Sequence, residues 1–105
     1  MNTTIRKEDG KMIATLEGRL DTAASEQAAK DLMALHDCEG YDIILDFSQL
    51  TYISSSGLRI LLGIRKYAAA VNSRVTLVGV KEDIREVLYT TGFNNLFEIA
   101  DSEDN

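Results

Sequence analysis

Three consecutive aliphatic residues, Ile43-Ile44-Leu45, lead into a hydroxyl-rich stretch, Asp46-Phe47-Ser48-Gln49-Leu50-Thr51-Tyr52-Ile53-Ser54-Ser55-Ser56-Gly57. Apolar residues at helical spacing then follow: Leu58, Leu61, Leu62, Ile64, Ala68 and Val71. An apolar run without alternation is the pattern of a strand buried on both faces, hence a central one. The spacing after it predicts a helix to Ala70, stopped by Asn72-Ser73. A second β-rich run, Arg74-Val75-Thr76-Leu77-Val78-Gly79-Val80, completes a strand–helix–strand unit whose strands are parallel with a right-handed crossover. The stretch from Asp46 to Ser56 is then expected to be a loop at the carboxyl edge of a sheet, where open α/β folds place their sites. Its serines stand where the helix starts, so unpaired N–H groups and the helix dipole favour negative charge beside them.

The rest of the chain fits around that unit. Thr3-Thr4-Ile5-Arg6 and Met12-Ile13-Ala14-Thr15-Leu16-Glu17 read as the two strands of an antiparallel hairpin, turned at Glu8-Asp9-Gly10-Lys11. Asp21-Thr22 is a helix N-cap signal, followed by an apolar stripe of Ala24, Ala28, Leu32 and Leu35. Lys81-Glu82-Asp83 opens a last helix carrying Ile84, Val87 and Leu88, with Gly92 as its C′ residue. Phe97-Glu98-Ile99 is a candidate edge strand. The expected architecture is α/β: one domain over residues 1–105, with a mixed sheet of four to five strands packed by three to four helices. Residues 101–105, Asp-Ser-Glu-Asp-Asn, are expected to be a frayed acidic tail.

Composition narrows the function classes. A hydrophobic share of 45% supports a core without metals or disulfides. The single cysteine, Cys38, fits a reducing compartment and reads as a small buried hydrophobe. No signal-peptide core and no bilayer-length apolar stretch is present, so a soluble, cytoplasmic protein with no membrane partner is expected. A formal net charge of −6 with scattered Lys and Arg argues against nucleic acid. His36 is the only histidine and stands at a helix end, which makes a metal site or a histidine-based triad improbable. Ser54-Ser55-Ser56-Gly57 lacks the glycine of a nucleophile elbow, and there is no glycine-rich phosphate loop. No enzymatic activity, no cofactor and no metal are expected.

The central motif resembles the signature of the STAS family, the bacterial anti-sigma factor antagonists. The likeness rests on Asp46-x-Ser48-x-Leu50-x-Tyr52-Ile53-Ser54-Ser55-Ser56-Gly57-Leu58-Arg59. It extends to Gly18-x-Leu20-Asp21, Val75-x-Leu77-Val78-Gly79 and Thr91-Gly92-Phe93, and so over nearly the whole chain. The resemblance implies a binding module controlled by phosphorylation. In the unmodified form it binds an anti-sigma factor that is itself an ATP-dependent serine kinase, which frees a sigma factor. The kinase modifies the serine before the motif glycine, here Ser56, and a phosphoserine phosphatase reverses it. One departure is Ser54, which stands where the best-known antagonists carry an acidic residue; it bears on which kinase acts and how efficiently.

Weighed residue by residue, the expected partner surface is Asp21, Asp46, Ser54, Ser55, Ser56, Gly57, Leu58 and Arg59. Residues alone would make Ser56 a plain helix cap; the family motif makes it the phosphoacceptor. Ser54 and Ser55 read as loop hydrogen-bonders or contacts. Asp46 is either a turn-stabilising acid or part of the binding rim, and Asp21 is most simply an N-cap, with both acids expected on one rim. Leu58 is also a core candidate. The other functional reading is a STAS subunit of a lipid-transport ABC complex, bound permanently to its ATPase. A monomer or weak dimer is expected, with the N-terminal edge strand available for pairing.

Overall fold

The structure, a computed structural model, describes residues 1–100; the acidic tail expected over 101–105 lies outside the described residues. The chain runs β1 (Asn2–Glu8), β2 (Lys11–Leu20), α1 (Thr22–Leu32), β3 (Asp42–Ile53), α2 (Ser55–Ala70), β4 (Val75–Val78), α3 (Glu82–Thr91) and β5 (Glu98–Ala100). Short 3-10 turns, Met33–His36 and Phe93–Asn95, extend α1 and follow α3. The strands lie in the order β1-β2-β3-β4-β5. β1 and β2 form the expected antiparallel hairpin, and every other neighbouring pair is parallel.

β3 is the central strand, as its unbroken apolar run predicts, and Ile43, Ile44 and Leu45 are all buried. Ile43 and Leu45 join Met12, Leu16, Phe47 and Leu77 in the main core, into which all three helices bury residues. Ile44 faces the other side of the sheet with Ile13 and Val78. In α1, Ala28 and Leu32 are buried as expected, but Ser25 is buried where the stripe named Ala24. A serine is tolerated there because its hydroxyl donates to the Asp21 carbonyl oxygen at 2.8 Å. In α2, Leu58, Leu61, Ile64 and Ala68 are buried, whereas Leu62 stands outside the core and is 40% exposed. Cys38 is wholly buried.

The expected loop over 46–56 is largely strand. β3 continues through the polar stretch to Ile53 and stays paired with β2, although β4 ends opposite Asp46. From Thr15 to Leu20 β2 advances five residues, while β3 advances seven, from Asp46 to Ile53. The two extra residues are bulges in β3, which bend it and increase its twist. The apolar residues in this half, Phe47, Leu50 and Ile53, therefore recur every third position and still point into the core.

Candidate functional site

β2 and β3 end together, Leu20 opposite Ile53, and each leads into a helix. Two helix N-termini thus lie side by side at one sheet edge. The N–H of Ser54 donates to the Leu20 carbonyl oxygen at 2.9 Å, which ties the start of α2 to the end of β2. Ser54 is extended (φ −93°, ψ 172°) and caps α2, its Oγ accepting the Gly57 N–H at 3.2 Å. Asp21 does the same for α1, its Oδ1 accepting the Ala24 N–H at 2.9 Å. Each cap satisfies a backbone donor that would otherwise face solvent unpaired.

The cap falls on Ser54 and not on Ser56, and the three serines divide accordingly. Ser54 is buried, Ser55 is exposed and Ser56 is half-buried. Ser55 and Ser56 are the first two residues of α2, and no hydrogen bond ties either hydroxyl to another described residue. Both are presented at the positive end of a 16-residue helix. Gly57 sets how close that end can come. A Cβ there would lie 2.8 Å from Leu20 Cγ and 2.9 Å from Ile53 Cγ1, so only glycine allows the first turn to sit on the strand ends.

The other expected residues separate. Arg59 is exposed one turn after Ser55, on the same face of α2. Leu58 is a core residue, 8% exposed, so its side chain is turned away from the edge. Asp46 does not share a rim with Asp21. It pairs with Thr15, five residues before Leu20 on β2, or about 16 Å away at ~3.3 Å per residue. Its Oδ1 accepts the Ser48 N–H at 2.9 Å, so it stabilises the turn of the first bulge. At that bulge the Ser48 carbonyl oxygen accepts from Lys81 Nζ at 2.9 Å. His36 is remote from the serines. Its ring stacks on Tyr67 at 3.8 Å, and Tyr67 lies about 16 Å along α2 from Ser56 at ~1.5 Å per residue.

Two neighbours of the edge escaped the sequence reading. Arg19 and Tyr52 pair across β2 and β3, with the guanidinium 4.4 Å from the ring centroid, and Tyr52 is 41% exposed. The signal was an aromatic residue at an outward position beside the motif, hidden because the bulges shift which positions face outward. Arg and Tyr are common anchors in protein interfaces. Among the described residues no helix is long and apolar enough to cross a membrane.

A mixed sheet with an N-terminal antiparallel hairpin, two paired helix caps and free serine hydroxyls between them defines a small α/β domain that presents a polar surface. The STAS domain family model matches residues 2–105, and the chain belongs to that family. It is 36% identical to BtrV of Bordetella bronchiseptica, provisionally described as an anti-sigma factor antagonist, over 99% of this chain and 90% of that protein. The crystal structure of a Thermotoga maritima protein described in the same provisional terms superposes with a TM-score of 0.88 at 19% identity, covering 97% of this chain and 88% of that one. The phosphorylated form of the Bacillus cell fate determinant SpoIIAA superposes with a TM-score of 0.73 at 24% identity, covering 98% of this chain and 95% of that one. These likenesses bear out the α/β fold with its five-stranded mixed sheet and three helices.

Proposed function

We propose that the chain is an anti-sigma factor antagonist whose unmodified form binds an anti-sigma factor that is an ATP-dependent serine kinase, freeing a sigma factor. Phosphate on Ser56 ends the binding, and a phosphoserine phosphatase restores it. The observation that carries this reading is the division of labour among the serines. Ser54 holds the helix cap, which leaves the Ser56 hydroxyl unbonded and partly open at the edge. The description of BtrV and the existence of a phosphorylated SpoIIAA support the same reading.

The chemistry of the switch is local. Phosphorylation adds roughly −1.5 to −2 charge and three acceptor oxygens. At the N-terminus of α2 that charge is tolerated by the fold, since it meets the positive end of the dipole. A partner surface fitted to neutral hydroxyls is the loser. It must desolvate a dianion it cannot match, and about 1.4 kcal/mol of that penalty is tenfold in affinity. Asp21 on the same edge adds to the repulsion, while Arg59 and Ser55 supply contacts for the unmodified state.

The test is partner recovery from native lysate with wild-type, Ser56→Ala and Ser56→Asp baits. The reading expects a serine kinase on the first two and its loss from the third. Equal recovery of a transporter ATPase on all three would replace the switch with a permanent subunit role.

A further inference from the structure

Two of the exposed large apolar side chains of this molecule stand across one groove. Met33 is 58% exposed and Tyr67 is 50% exposed, and both line a groove of about 330 Å³ between α1 with its 3-10 extension and α2. Ile60 and Gly63 form the α2 wall, and Lys30 and His36 stand on the opposite one. Interface surfaces are enriched in aromatic residues and Met, and apolar side chains gathered around a groove need an explanation that single ones do not.

Gly63 is the second anomaly. It lies inside α2, where glycine is about 1 kcal/mol less favourable than alanine. Its backbone needs no positive φ, and a Cβ built on it would meet nothing within 4 Å. The fold therefore gains nothing from this glycine, in contrast to Gly57. What the missing side chain provides is an open floor to the groove.

The third observation is continuity. Ser56, Ile60, Gly63 and Tyr67 are spaced by four, three and four residues, which places them on one face of α2. The groove is thus the downward extension of the Ser56 edge. The one formally charged residue among those lining it is basic. The chain carries 17 acidic and 11 basic residues, yet among the described residues no acid lines the groove. Lys30 lines it, 4.0 Å from Glu26 on the same helix; exposed Arg59 and Lys66 stand one position before Ile60 and Tyr67, and exposed Asp37 stands one position after His36.

We propose that this groove is the second half of the partner interface and receives an amphipathic helix of the anti-sigma kinase, an inference that rests on the function proposed above. The helix lays an apolar stripe between Met33 and Tyr67, with one side chain seated over Gly63 and flanking carboxylates meeting Lys30, Arg59 and Lys66. Ser56 then reports phosphorylation at one end of a contact whose apolar energy comes from the groove.

The probe is the serine kinase recovered on the wild-type bait and shown by mass spectrometry to phosphorylate Ser56. Its affinity is measured for wild type, Gly63→Leu, Met33→Ser, Lys30→Glu and the control Tyr89→Ala, an exposed aromatic on α3. Gly63→Leu puts a side chain into the groove from a Cβ that meets nothing within 4 Å in the free protein, and is expected to weaken binding by about tenfold or more, while its melting temperature is unchanged or higher. Met33→Ser and Lys30→Glu are expected to weaken it about three- to tenfold, and Tyr89→Ala to leave it unchanged. Wild-type affinity in both Gly63→Leu and Met33→Ser would overturn the groove and leave the Ser56 switch standing. Failure of the wild-type bait to recover any serine kinase would remove both. A concentration-dependent dimer of the free protein, abolished by Gly63→Leu, would assign the groove to a second copy and overturn the proposal as well.

Discussion

Gly57 approaches Leu20 so closely that a Cβ on the glycine would lie 2.8 Å from Leu20 Cγ. The contact fixes where α2 begins relative to the end of β2, and with it the height at which Ser55 and Ser56 stand above the sheet edge. Leu20 is wholly buried and cannot move aside without disturbing the core. Gly57→Ala is therefore expected to destabilise the domain by about 1–3 kcal/mol, the cost of overpacking. Urea denaturation followed by circular dichroism measures this, and an unchanged midpoint would show that the helix start can shift freely.

Ser54 and its two successors are chemically alike and structurally distinct. Ser54→Ala removes the acceptor for the Gly57 N–H and is expected to cost about 1 kcal/mol, the usual value of a lost cap. For a domain of about this size that is a fall in melting temperature of roughly 4–8 °C. Ser55→Ala and Ser56→Ala, with no hydrogen bond to lose, are expected to stay within about 0.5 kcal/mol of wild type. Differential scanning calorimetry on the three variants separates the structural serine from the two available for contact or modification. A fall for Ser56→Ala as large as that for Ser54→Ala would return the cap to Ser56.

The course of β3 shows where the sequence was legible and where it was not. Its first half was plain because Ile43-Ile44-Leu45 has one reading, a strand with both faces covered. Its second half reads as loop because Ser48, Gln49 and Thr51 are polar and because two bulges replace the period of two with buried residues at 47, 50 and 53. A bulge is a tertiary event: it exists because β2 pairs with β3 there, and a one-dimensional pattern does not carry the partner strand. The same shift hid Arg19 and Tyr52 and led Asp21 and Asp46 to be placed on one rim. The cap signals survived because they are local. Asp21 and the serine run were recognisable as helix starts, although which serine caps was decided by the Leu20 carbonyl holding the Ser54 N–H.

The first bulge gives a prediction of its own. Gly79 has φ +65°, and a Cβ there would lie 2.8 Å from Ser48 Cβ, so β4 ends against the bulge of β3. Gly79→Ala combines a left-handed backbone, about 1–2 kcal/mol for a residue with a Cβ, with that overlap. A loss of about 2 kcal/mol or more in chemical denaturation is expected. Ser48→Gly in the same background is expected to recover part of it, because it removes the opposing side chain while the backbone cost remains. No recovery would show that the contact with Ser48 Cβ contributes nothing beyond those with the Ser48 backbone, which the glycine retains.

Phosphate on Ser56 is expected to leave the fold at least as stable as the unmodified one. Ser56 is the second residue of α2, and its neighbouring N–H groups present partial positive charge to anything attached there. The cap at Ser54 is neutral, so no carboxylate at the helix start competes for those groups. An anion in the first turn contributes about 0.3–1 kcal/mol at low ionic strength. The phosphorylated protein, prepared with the recovered kinase, should therefore melt at the same temperature as the unmodified protein or a few degrees higher, with the gain shrinking as salt is added. If the switch worked by loosening α2, the phosphorylated form would instead melt lower, and its loss of partner affinity would follow from disorder of the edge. A rise or no change, together with lost binding, locates the switch at the interface.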